Sequence, residues 1–232
     1  MSAFNWTQLI PQVGHDENKV AVATFAITSV ALIFVGLTAR AKLGQGEAAI
    51  VPAGKFSLRG IVELVTEFIT NLIDTVIGHH GRPFAPMFAS IFFFIFVNNM
   101  VGVIPGMTPA TENINTTFAM GFFMFLTYNY LGIKANGIVN YIKHFMGPVL
   151  ILAPLMFVIE LVSHMVRPFS LGLRLANVMM GDHTVVGVFL DLIPIGAPIP
   201  FYIMGLFVAF VQAFVFTLLS MVYVAFSTAH DH

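Results

Sequence analysis

ELVSHMVRPFSLGLRLAN, residues 160–177, is the stretch on which the fold turns. Glu160, Ser163, Arg167, Ser170, Arg174 and Asn177 follow at intervals of 3, 4, 3, 4 and 3 residues, which stacks them on one face of an α-helix. Leu161, Val162, Met165, Val166, Leu171, Leu173 and Leu175 fill the gaps, so the rest of that helix suits lipid or packed protein. An ionised side chain at bilayer depth costs roughly 2.5–3.5 kcal/mol or more, and such residues mark ion paths, proton relays or counter-ion sites. The pattern predicts a membrane helix with one functional face.

Composition agrees. The 232 residues are 58% hydrophobic and 9% charged, with 25 Phe, and mean hydropathy is +0.90. A soluble domain carries about 25% charged residues. A net charge of -1 leaves no electrostatic footprint for nucleic acid. Zero Cys excludes disulfide frameworks and thiolate metal sites. Residues 1–19 contain Asp16 and Glu17 and lack the basic start and apolar core of a secretory signal. The expectation is one integral membrane domain over residues 1–232, inserted by its own segments.

Five apolar blocks stand out. Residues 20–38, 84–104 and 116–133 contain no Asp, Glu, Lys or Arg, and each is about one bilayer long. As helices at about 1.5 Å per residue, residues 147–190 would run roughly 66 Å and residues 199–227 roughly 44 Å. The hydrocarbon core is only about 30 Å thick, so both must tilt or bend. LIPIGAPIP, residues 192–200, breaks the helix between them and turns the chain back. Residues 57–77 differ: Leu58, Ile61, Val65, Phe68, Leu72 and Val76 form an apolar stripe, with Arg59, Glu63, Glu67 and Asp74 off it. That pattern reads as an interfacial amphipathic helix. Its acidic polar face suits water or another subunit better than anionic lipid. The fold class is an all-α membrane protein with five crossing helices, the last two a long tilted hairpin, plus one interfacial helix.

Positive charge orients it. Arg40, Lys42, Lys55, Arg59 and Arg82 fall between the first two spans, and Lys134 and Lys143 between the third and fourth. Those segments are expected on the cytoplasmic side, with the N-terminus outside and the C-terminus inside. The two remaining intramembrane cations, Arg167 and Arg174, are both in the ladder.

A structural ion-pair network is one reading of the ladder, and Ser163 and Ser170 bonding to their own helix is another. Only Glu160 can neutralise a cation on this face, however, which leaves one Arg for a carboxylate supplied by another polypeptide. Arginine stays protonated and cannot relay a proton. It favours the ionised form of a nearby carboxylate, as a gate would.

SLGLRLANVMMGDHT (residues 170–184), VQAFVFTLLSMVY (211–223), FVNNMVGVIPG (96–106), NINTTFAM (113–120) and FNWTQLIP (4–11) carry a resemblance. They resemble subunit a of rotary F-type ATP synthases over nearly the whole chain. The resemblance implies a non-catalytic, proton-conducting stator subunit of a bacterial inner membrane, seated against a ring of c subunits and beside peripheral-stalk b subunits, with no cofactor. It implies that Arg174 is the essential arginine facing the ring's carboxylate and that Gln212 lies opposite it. Glu160, Ser163 and Ser170 would belong to the cytoplasmic half-channel and His183 to the outer one. Two departures follow from the same comparison. The Asn that the family commonly has four residues after the arginine is replaced by Val178, with Asn177 beside it. The usual partner of the His183 position is replaced by Gly205. Asp182, Glu112, Asn115 or water would then complete the outer half-channel, with Asp182 best placed by adjacency.

Other polar residues rank lower. His79-His80 and His230-Asp231-His232 resemble metal clusters superficially. His144 reads as solvated, and His164 as packed or locally bonded. Asn98 and Asn99 read as helix–helix hydrogen-bonding groups, with cleft lining as the second reading. The rival function is a self-contained secondary transporter, which often shows inverted repeats; none is evident here. A membrane-embedded hydrolase would need clustered ligands or a nucleophile with its base, and only Asp182–His183 comes near.

Overall fold

The structure, a computed structural model, describes residues 6–9, 16–41, 57–104, 106–144, 153–192 and 198–228. Seven α-helices and no strand occur among them: α1 (Glu17–Ala41), α2 (Leu58–Val76), α3 (Ala85–Val101), α4 (Ile114–Asn136), α5 (Ile138–His144), α6 (Ala153–Leu192) and α7 (Pro198–Thr228). Short 3₁₀ turns at His79–Phe84 and Ala110–Glu112 lead into α3 and α4. Four helices are long and apolar enough to cross a membrane: Asn18–Ala41, His79–Val101, Pro154–Leu190 and Ile199–Thr228. α4 has the length, at 23 residues, but its Asn, Thr and Tyr residues lower its hydropathy below that of those four. The long hairpin appears as two helices of 40 and 31 residues. Most of the Pro- and Gly-rich break lies at residues 193–197, outside the described residues.

The core forms where α3, α4, α6 and α7 meet. Phe88, Phe92 and Ile95 of α3 interlock with Met124 and Tyr128 of α4, Leu171 and Leu175 of α6, and Ala213, Phe216 and Met221 of α7. α2 sets Ile69 and Ile73 against that core with no exposed surface, flanked by Val65, Phe68, Leu72 and Val76. Its apolar stripe is thus spent largely on this protein, although Ile61 remains exposed, as does Leu64 beside the stripe. Arg59 caps its own acid Glu63 one turn on. Asp74 is gripped by Arg82 at 2.7 Å, and that guanidinium holds the Asp74 carboxyl below the usual carboxylate range.

Backbone contact locks α4 to α6. A Cβ on Gly121 would lie 2.5 Å from the Pro168 carbonyl oxygen, and one on Gly172 would lie 2.9 Å from that of Thr117. Two glycines facing each other's helix let the axes approach closely, as small residues do where lipid removes the hydrophobic drive between helices. Pro168 removes one helical N–H donor from the interior of α6. Asn98 and Asn99 act as helix crosslinks. Thr28 of α1 donates to Asn98 Oδ1 at 3.1 Å, while Thr111 donates to Asn99 Oδ1 at 2.6 Å.

Candidate functional site

α6 buries Leu171, Leu175, Ala176 and Met179 and turns the polar ladder the other way. Ser163, Arg174 and Asn177 are exposed, while Glu160, Arg167 and Ser170 are half-buried. Leu173 and Met180, seven residues apart, are exposed beside that face. α7 also exposes large apolar groups, among them Ile203, Phe207 and Phe210.

The two ladder arginines differ. Arg167 donates from Nη2 to Glu160 Oε1 at 2.9 Å, and its guanidinium carbon lies 5.6 Å from the centre of the Tyr223 ring. Carboxylate and ring together neutralise and clamp it. Arg174 has no carboxylate partner among the described residues. Gln212 is buried on α7, and among the described residues no hydrogen bond joins it to Arg174. Because the Arg167–Glu160 pair is partly exposed, the activity that the resemblance implies, coupled ATP synthesis, is expected to slow by roughly three- to tenfold in Arg167→Gln without being abolished, as for a solvent-screened pair plus one ring contact. Synthesis rates in inverted vesicles check this; loss as complete as for Arg174→Ala would mean that the ladder acts as one unit.

His183 follows Arg174 by nine residues, about half a turn round the helix, and faces inward. Its Nε2 donates to the Gly102 carbonyl at 2.9 Å, and its Nδ1 lies 2.9 Å from Glu112 Oε2. Gly102 is required for that approach, since a Cβ there would come within 2.8 Å of His183 Nε2. Glu112 closes the 3₁₀ turn before α4. Thr111, fully buried, anchors that turn to Asn99, whose Nδ2 reaches the Ala209 carbonyl of α7 at 3.4 Å. The turn that carries Glu112 is therefore anchored by buried hydrogen bonds of its neighbour Thr111.

Adjacency favours Asp182 as the group facing His183, but the contact is made by Glu112, 71 residues away. Asp182 lies instead over Gly205 of α7, where an added Cβ would sit 2.7 Å from Asp182 Oδ2. Successive side chains on a helix point about 100° apart, so Asp182 and His183 diverge to different neighbours. Asn115 is exposed and donates to Asn18 Oδ1 at 3.3 Å. Glu112 is the only Asp or Glu between Asp74 and Glu160, an isolation that marks it in sequence.

A second polar node lies behind the ladder. His164, 4% exposed, donates from Nε2 to Asn129 Oδ1 at 2.8 Å, and the Tyr141 hydroxyl donates to the same oxygen at 2.9 Å. Its ring packs on Phe125 and Tyr128. His79 is exposed beside Asp74, and no three His, Asp or Glu among the described residues are placed to hold a metal. His230, Asp231 and His232 lie outside the described residues.

Comparison with known proteins adds a relationship to this geometry. The family model described as ATP synthase A chain matches residues 19–225. A protein of Bdellovibrio bacteriovorus described as ATP synthase subunit a is 70% identical over 230 residues, covering 99% of this chain and 100% of that relative. ATP synthase subunit a of a Geobacter species is 41% identical over 207 residues, 89% of each chain. ATP synthase subunit a 1 of Pelobacter propionicus is 42% identical over 209 residues, 90% of this chain and 87% of its own.

Proposed function

Because this chain belongs to the ATP synthase A chain family, subunit a of the Fo membrane sector of F-type ATP synthase, we propose that it carries protons between two offset half-channels and a rotating ring of c subunits, with Arg174 as the gate between them. It is a multi-pass membrane component of the complex, and its partners are other ATP synthase subunits. The finer reading is a single membrane domain of five crossings, α1, α3, α4, α6 and α7, with α2 at the interface. The N-terminus lies outside, the C-terminus lies in the cytoplasm, and peripheral-stalk b subunits stand alongside.

One observation carries the gate. Of two arginines on the same outward helix face, Arg167 is neutralised within the chain and Arg174 is left exposed, with no carboxylate partner among the described residues. An exposed cation at membrane depth is costly unless a partner supplies the countercharge. A c-subunit carboxylate passing Arg174 would lose its proton there, because the guanidinium favours the ionised form. Asn177 and Gln212 flank the gate. Glu160, Ser163 and Ser170 line the exit to the cytoplasm. Glu112, His183 and Asp182 line the entry from outside, where an imidazole set between a carboxylate and a carbonyl suits proton transfer near neutral pH. Arginine itself never relays the proton, so the two clefts stay separate.

The test is reconstitution. The chain alone in liposomes is expected to carry no more protons than empty liposomes when a potassium diffusion potential is applied. Adding the c-ring and the stalk subunits is expected to raise the flux by about tenfold or more, the scale of an open gated path against a closed one. Ion transport by the chain alone would support a self-contained transporter instead.

A further inference from the structure

His164 is an ionisable residue of a membrane helix that takes no part in the proton path, and it is buried. Three helices meet at it. Asn129 of α4 spends its Nδ2 on the Phe125 carbonyl of its own helix at 2.7 Å, which leaves its Oδ1 to accept. Two donors share that oxygen, His164 Nε2 of α6 at 2.8 Å and the Tyr141 hydroxyl of α5 at 2.9 Å. Gly132 makes room for Tyr141, since a Cβ there would come 2.5 Å from the Tyr141 ring. An amide oxygen accepts hydrogen bonds and passes no proton on, so this junction holds a position and relays nothing.

From His164 a file of rings leads to the ladder. The imidazole meets Tyr128 edge-on with ring centres 5.2 Å apart, and Tyr128 meets Tyr223 of α7 at 5.8 Å. The Tyr223 ring lies 5.6 Å from the guanidinium carbon of Arg167, and Glu160 holds the same guanidinium at 2.9 Å. Tyr128 is fully buried and belongs to the core, and Tyr223 packs against that core, so the file is supported along its length. Arg167 precedes Arg174 by seven residues, two turns and roughly 10 Å on the same helix face. Released from Glu160, its long side chain would compete for the carboxylate that Arg174 serves and would favour the ionised form at the wrong height.

Resting on the reading of Arg174 as the gate, we propose that His164 is a positioning residue of the proton path. With Asn129 and Tyr141 it fixes the Tyr128–Tyr223 pair, which keeps Arg167 committed to Glu160 and clear of the passing c-subunit carboxylate.

The test is a double-mutant cycle in the whole ATP synthase, reading ATP-driven proton pumping in inverted vesicles with subunit stoichiometry as the control. His164→Leu is expected to slow pumping by roughly three- to tenfold, the scale of one aromatic contact and one cation–ring contact. Asn129→Leu, which takes the shared acceptor from both donors, is expected to do the same. In an Arg167→Gln background neither is expected to cost more than about a further twofold, because the side chain that they position is gone. If His164→Leu does not assemble, His164→Gln completes the cycle. It keeps a donor at the Nε2 position and loses the ring, and its smaller loss should likewise vanish without Arg167. Losses at positions 164 and 167 that multiply would overturn the role of His164, as would His164→Leu pumping at the parent rate. A parent complex that pumps no protons, or an Arg174→Lys complex that pumps as the parent does, would instead overturn the gate on which that role rests.

Discussion

Arg174→Lys is expected to leave a fully assembled ATP synthase that pumps protons at less than about 1% of the parent rate. The planar guanidinium can offer a passing carboxylate two charge-assisted hydrogen bonds, each worth about 1.5–3 kcal/mol. Lysine keeps the charge, but it loses the fork and gives up its proton more readily in a desolvated site. The second bond lost amounts to about ten- to a hundredfold at roughly 1.4 kcal/mol per factor of ten, and the ammonium's readier loss of its proton brings the total to about a hundredfold or more. Quenching of a pH-sensitive dye in inverted vesicles after ATP addition checks it, with subunit stoichiometry as the control. Pumping near the parent rate would mean that the gate is another residue. Arg167 would be the first to examine, but its charge is already committed to Glu160.

The second large effect belongs to Glu112. Its carboxylate is the group 2.9 Å from His183 Nδ1, and the turn that carries it is anchored through Thr111 and Asn99. Glu112→Gln keeps the size and removes the charge, so proton uptake from the outer side is expected to fall by about 10- to 100-fold, the worth of one charge-assisted bond. Asp182→Asn should cost less, because Asp182 faces Gly205 and not the imidazole. Initial rates of synthesis driven by an imposed pH gradient separate the two. A larger loss for Asp182→Asn would return Asp182 to the role that adjacency suggests.

The contrast between these two carboxylates marks where sequence reading stops. A ladder at 3- and 4-residue intervals is local, and helical geometry alone places its six members on one face. The Arg167–Glu160 pair is legible for the same reason, being two turns apart on that face. Asn98 and Asn99 are legible as crosslinks because a buried amide inside a span must find a partner. The contact between residues 112 and 183 has no period. It depends on a 3₁₀ turn docking beside α3 and on Gly102 leaving room. The burial of α2 on α3 and α7 shows the same limit: a hydrophobic stripe announces that it will be covered but does not say by what. α5, seven residues long, is too short for any periodic signal.

The central claim is that Arg174 separates two clefts open to opposite sides, and a chain without cysteine allows it to be tested directly. His183→Cys and Ser163→Cys, each a single thiol, can be exposed to an impermeant thiol reagent from one side of the membrane at a time. The account predicts that the thiol at position 183 reacts from the outside only and that at position 163 from the cytoplasm only, with proton flow blocked in both. Reaction of both from the same side, or the reverse assignment, would contradict it.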